Sequence, residues 1–178
     1  MSVSKRMYAW LPMAIAITLI FGSVYFVIRQ TTRQAANDPQ LQMAQDAAHD
    51  LVAGSLPADV VPTQKVDMST SLAPFMIVYD DLGNVLASSG ELNSAVPVLP
   101  AGVFDYTREH VEDRITWQPA PGVRAAIVVV RYTNGSRGFV LAGRSIREVE
   151  KRNQILLMQL AAAWIVSLGA AFIFKSRA

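Results

Sequence analysis

Two stretches of the chain, residues 8–28 and 155–174, are apolar almost throughout and carry no charged side chain. As helices, at about 1.5 Å rise per residue, each reaches across a hydrocarbon core of about 30 Å. A backbone in lipid must satisfy its own hydrogen bonds, so helices are the form these two stretches can take there. The sequence therefore predicts two crossings that frame residues 29–154, with short ends at 1–7 and 175–178.

Charge is sorted by the same frame. Lys5 and Arg6 precede the first span, Lys175 and Arg177 follow the second, and all 14 acidic residues lie between the spans. Lys and Arg beside a membrane helix favour the cytoplasmic side, while long loops cross regardless of charge. Both termini are predicted to be cytoplasmic and residues 29–154 to lie outside the membrane. The pI of about 9.1 then reflects topology and gives no indication of nucleic-acid binding. A cleaved signal peptide is the competing reading of the first span. Its apolar run exceeds the roughly 7–15 residues of a signal core, and Arg29-Gln30-Thr31-Thr32-Arg33 lacks a small-x-small cleavage site, which favours an uncleaved anchor.

The sequence contains no cysteine, so neither disulfides nor thiol chemistry is available and the central region must be held by an apolar core. Asn37-Asp38-Pro39 predicts a helix start, and Leu41, Ala44, Ala48, Leu51 and Val52 fall on one face before Gly54 supplies a stop. That face suits either a dimer seam or packing on the domain's own sheet. After a Pro-punctuated linker at 56–74, the runs 75–79, 85–88, 115–118, 123–132 and 138–142 predict five short strands, with a short helix within 103–112. Asp80-Asp81-Leu82-Gly83-Asn84, Pro119 to Gly122 and Thr133-Asn134-Gly135-Ser136 are the turns. The last of these also matches a glycosylation sequon, for which Asn-Gly turn chemistry is the stronger explanation. From Ser145 the pattern becomes helical again, with Ser145 and Glu148 at capping-box spacing and no breaker before the second span. Gly143 is the expected soft point of that link.

The fold class expected is α+β: a five-stranded antiparallel sheet with an N-terminal helix, flanked by two transmembrane helices. In this order the helix around Asn37-Asp38-Pro39-Gln40, the hairpin from Val78 to Val85, and the Gly138–Arg144 strand running into Ile146-Arg147-Glu148-Val149-Glu150-Lys151 resemble the extracytoplasmic PAS-like or single-Cache sensor domains of bacterial two-span receptors, sensor histidine kinases and chemoreceptors. The resemblance covers residues 8–174. It implies an inner-membrane protein with a periplasmic sensor domain that binds a small ligand, such as an organic acid, and acts as a homodimer or with a membrane signalling partner. A receptor of that kind continues into a HAMP linker and a two-component or chemotaxis output domain. Here Lys175-Ser176-Arg177-Ala178 follow the second span, so output passes to a partner protein or to further chain. Signalling by such a domain is a population shift: ligand at about 100 times its dissociation constant supplies roughly 2.7 kcal/mol to the state it prefers.

Ligand-binding candidates are Arg114, Trp117, Arg124 and Arg131 on the third and fourth strands, with Tyr79, Tyr106 and His110 nearby. Arginine matches a carboxylate or phosphate with its planar fork, and aromatic rings supply apolar walls. Arg124 and Arg131 are seven residues apart, so a regular strand places them on opposite faces. The Arg108–Arg114 segment holds three carboxylates around His110 but has no metal-ligand spacing, and a self-paired charged turn explains it; His110 can instead respond to pH. No cofactor and no enzymatic activity are expected, since HExxH, a nucleophile elbow and paired carboxylates are all missing. In the second span, Ala163, Ser167 and Ala171 form a small-residue face suited to helix pairing, with Gly169 beside it. An accessory subunit, in which the same fold is a protein-interaction surface with no ligand pocket, is the alternative function.

Overall fold

The computed structural model describes residues 3–35, 38–134 and 136–177, and within these the side chains of 10–31, 39–133 and 137–173. The chain divides into two compact units. One comprises Met1–Arg33 with Val149–Ala178, the other Gln34–Glu148.

The first unit is a pair of long helices, α1 (Val3–Ala35) and α5 (Arg147–Arg177). Within them Trp10–Thr31 and Arg147–Ile173 are long and apolar enough to cross a membrane, and 0% and 6% of the respective windows is buried. Apolar side chains left exposed in this way are compatible with an apolar solvent. The two run antiparallel: the Trp10 ring meets Phe172 edge-on at 6.0 Å, and the Trp164 indole N–H donates to Thr18 Oγ1 at 3.1 Å. Pro12 lies inside α1, whose first residue is Val3, so its missing N–H removes one intrahelical hydrogen bond.

Among its described residues the second unit holds α2 (Asp38–Val52), α3 (Pro57–Val60), α4 (Ala101–His110) and seven strands: β1 (Val66–Asp67), β2 (Phe75–Asp80), β3 (Val85–Ser88), β4 (Gly90–Glu91), β5 (Glu112–Ala120), β6 (Val123–Asn134) and β7 (Ser136–Ser145). Five of them form one antiparallel sheet in the order β3-β2-β7-β6-β5, while β1 and β4 make a small parallel pair. The expected α+β class, with five antiparallel strands behind an N-terminal helix, is what the chain adopts.

The sheet is buried on both faces. On one, Ala44, Ala47, Ala48 and Leu51 of α2 pack against Val78, Val128, Val140 and Ala142. This explains why β2, β6 and β7 read as continuous apolar runs and not as alternating ones. The helix thus uses its apolar face on its own sheet, which leaves that face unavailable as a dimer seam. Asn37, the expected cap of α2, lies outside the described residues. At the other end Gly54, at φ 102°, closes a Schellman motif in which Gly54 N–H donates to Leu51 O and Ser55 N–H to Asp50 O. On the opposite face, α4 and the segments carrying Val66, Met68 and Leu99 cover Phe75, Ile77, Tyr79, Ile127, Val129, Phe139 and Leu141.

Three local expectations are corrected. The stretch 56–74 is not a bare linker: it contains α3 and β1, and Asp67 braces it by accepting from Ser69 N, Ser69 Oγ and Thr70 Oγ1. Pro119 belongs to β5, at a register shift between Trp117 and Ala120, so the turn lies at Pro121-Gly122. Gly143 is no soft point. It is paired to Phe75 on one side and Ile127 on the other, and a Cβ there would come within 2.5 Å of the Phe75 ring. Its missing side chain is filled by a neighbouring aromatic, which fixes the position.

Candidate functional site

Register across the three central strands creates one row that the sequence does not display. Tyr79 of β2 pairs with Phe139 of β7, and Phe139 pairs with Arg131 of β6, so the three share one face. The row lies beneath α4. Phe104 of α4 packs edge-on to Tyr79 at 5.1 Å and against Phe139 at 5.0 Å. Arg108, one turn further along α4, sets its guanidinium 5.4 Å from the Phe139 ring centre.

Two arginines fasten this end of α4. Arg131 donates from Nη1 to the Arg108 carbonyl at 3.1 Å, and its main-chain N–H donates to Val111 O at 2.9 Å. Arg108 donates from Nη2 to Asp81 O at 2.6 Å and pairs with Asp105 at 2.5 Å. Asp81 belongs to the β2–β3 turn, which is set by Asp80: its Oδ1 accepts from Leu82 N–H and Asn84 N–H, while Oδ2 accepts from the Asn84 amide. Those bonds, the Asn84 side chain first, hold the Asp80 carboxyl below the usual carboxylate range. The helix exits through Val111 at φ 68° and ψ −36°, a strained backbone for a β-branched residue.

Polar capacity in the cluster is left over. Among the described residues the Tyr79 hydroxyl, Arg131 Nε and Asp81 Oδ1 are buried atoms without a hydrogen-bond partner. Burial raises the Tyr79 phenol well above its usual pKa, so the hydroxyl keeps its proton and remains a donor. Orphaned buried donors are uncommon in folded proteins and call for an explanation, such as a ligand atom. The Arg131 guanidinium and a phenol beside aromatic walls are donors suited to an oxyanion, while Arg108 is already engaged by Asp105 and Asp81. None of these groups is arranged as a nucleophile with a base, and among the described residues no three His, Cys, Asp or Glu side chains converge to hold a metal ion.

Of the residues singled out in the sequence, the structure brings together Tyr79 and Arg131 and leaves the others elsewhere. Trp117 is buried on the same face but pairs with Ala125, which pairs with Ser145. That is six residues along β7 from Phe139, or about 20 Å at roughly 3.4 Å per residue. Arg114 is exposed and bonds Glu112 at 2.9 Å. Arg124 is exposed and, by strand parity, on the face opposite Arg131, as its odd separation predicts. Tyr106 points outward from α4 and stacks on His110 at 4.0 Å. Arg108 is the residue the sequence reading misses. Within the charged segment only Arg114 pairs internally among the described residues, with Glu112, whereas Arg108 pairs outside it with Asp105 and also spans to the sheet and the turn. In α5, Ala171 is buried, Ser167 is half-buried with its hydroxyl donating to Ala163 O at 2.8 Å, and Ala163 is exposed.

No family model, curated protein or solved structure matches the chain.

Proposed function

We propose that the chain is a membrane-anchored sensory module of the PAS-like or single-Cache type, and that its ligand is a small anion of the organic-acid class bound beneath α4. The single observation that supports this most is the cross-strand row Tyr79–Phe139–Arg131, where two buried donor groups remain unpaired under a helix pinned by Arg108. A carboxylate entering there pairs with Arg131 and the Tyr79 hydroxyl and competes with the Arg108 carbonyl for Arg131. The chain then favours whichever placement of α4 the ligand stabilises. β7 carries Phe139 and is joined to α5 through Ile146 alone, which gives the signal a short covalent path. The basic ends favour cytoplasmic termini and a domain on the outer side of a bacterial inner membrane. Output goes to a second copy or a membrane partner.

The test is thermal unfolding of the full chain in detergent against a panel of organic acids, amino acids and divalent metals. A saturable rise in melting temperature that Arg131→Ala abolishes and Arg124→Ala leaves intact supports the proposal. Equal loss in both variants, or no shift with any acid, refutes it. The accessory-subunit reading has its own observation. The edge strand β3 and its turn expose Leu82 at 85%, Val85 at 44% and Leu86 at 50%. An apolar edge of that kind suits a protein partner, and Leu86→Lys would then abolish co-purification with it.

A further inference from the structure

We infer that the helix pair carries a binding site for an anionic phospholipid of the leaflet next to the folded domain. Between α1 and α5 lies a cavity of about 190 Å³. Its polar lining comes from Tyr25 and Arg29 of α1 and from Asn153 and Gln154 of α5, and its apolar lining includes Leu157 and Leu160.

The two kinds of lining are sorted by depth. On α1 the cationic Arg29 is one turn nearer the domain than Tyr25, and on α5 the two carboxamides precede the leucines, so both helices put polarity at the same end. A guanidinium with two amides and a phenol recognises a phosphate oxygen, while the leucines below favour hydrocarbon. The cavity does not stop at the leucines. A second one, of about 240 Å³, shares Tyr25, Leu157 and Leu160 with the first and continues along the pair to Gly22 and Trp164. Nothing lies within 4 Å of where a Gly22 Cβ would be. From Gln154 to Trp164 the groove runs about 15 Å at 1.5 Å per residue, with its head polar and its tail apolar. The head lies at the end of the span, Arg29 being two residues from the close of the Trp10–Thr31 segment, where long cationic side chains meet phosphates at the membrane surface. A soluble phosphate has no use for the apolar tail of this groove, and a zwitterionic lipid brings an ammonium group whose charge opposes Arg29, which an anionic lipid lacks.

Native mass spectrometry of the full chain in detergent tests the site with three probes: phosphatidylglycerol, phosphatidylcholine and glycerol 3-phosphate. The expected result is retention of phosphatidylglycerol about tenfold above phosphatidylcholine, because the choline ammonium sets a like charge beside Arg29 that the glycerol headgroup does not. Arg29→Gln should bring the two lipids to parity, and Arg29→Lys should keep part of the preference. Gly22→Leu, which fills the tail, should weaken both lipids alike, and the exposed pair Lys151→Gln/Arg152→Gln should leave the preference unchanged. The inference is overturned by wild-type retention in Arg29→Gln, by equal loss in the Lys151/Arg152 variant, or by displacement of lipid by glycerol 3-phosphate.

Discussion

Gly138→Ala adds a single methyl group at the crossing point of β2, β6 and β7, and the structure sets its cost. A Cβ on Gly138 would lie 2.1 Å from the Tyr79 carbonyl oxygen and 2.7 Å from the Tyr132 hydroxyl. Ordinary separations between nonbonded heavy atoms are about 3.5 Å, so β2 and β7 must part by more than about 1 Å where Asp80 pairs with Gly138. The bare glycine is also what lets the Tyr132 ring cross β7 and donate to Tyr79 O at 3.4 Å. Overpacking costs roughly 1–3 kcal/mol and the lost hydrogen bond about 1 kcal/mol, for a total of about 3 kcal/mol. Unfolding entropy of about 2.1 cal/mol/K per residue, over the roughly 115 residues of Gln34–Glu148, converts this to a fall in melting temperature of about 12 °C. Trp117, buried in the sheet, reports the transition by fluorescence once Trp10 and Trp164 are replaced by Phe. Gly102→Ala is the matched control, because nothing lies within 4 Å of its Cβ in α4 and helix propensity favours alanine, so it should melt higher by about 2–4 °C. A Gly138→Ala protein melting within about 2 °C of the parent would refute the close approach.

Val111→Gly should raise stability by about 1 kcal/mol in the same assay, because strain at φ 68° is relieved while the lost side chain is 62% exposed. Asp67 has its carboxyl held below the usual range by the Ser69 hydroxyl and N–H and by Thr70. It therefore contributes stability above its unfolded pKa that is lost as pH falls through the lower folded value, and Asp67→Asn should flatten the acid limb of the stability profile below about pH 4. Asp113 has the opposite sign: burial raises its pKa, so its protonated form is favoured in the fold and stability declines as pH rises through the folded value. Asp113→Asn should accordingly melt higher than the parent at pH 7 and no higher at pH 3.

The strands and α2 were legible because burial on both faces leaves its mark in composition: Phe75 to Tyr79 has no polar position to alternate with. Gly54 announced its own turn. The opposite facing of Arg124 and Arg131 followed from parity alone. The candidate site was only half legible, since Tyr79 and Arg131 become neighbours solely through the order β2-β7-β6, which no local pattern encodes. Arg108 stayed hidden for a related reason: its partners Asp81 and Phe139 lie on distant elements, while its charged neighbours offered a sufficient local explanation. The short strands β1 and β4 pair in parallel across 24 residues, with two residues each, too little for periodicity to register. Gly143 did carry a usable signal, because a lone glycine inside a strand pattern marks close approach of a neighbour more often than freedom.

The placement of β7 gives the attachments of the two long helices different mechanical character. β7 is held by β2 along one side and β6 along the other, and it passes into α5 with one intervening residue. Tension drawn along β7 loads both ladders in shear, so many hydrogen bonds resist at once. The N-terminal tether instead leads to α2, which is held to the sheet by side-chain packing. A pulling experiment that anchors the chain by α1 should peel α2 away at low force, whereas one that anchors it by α5 should show a single stiff rupture of the whole sheet.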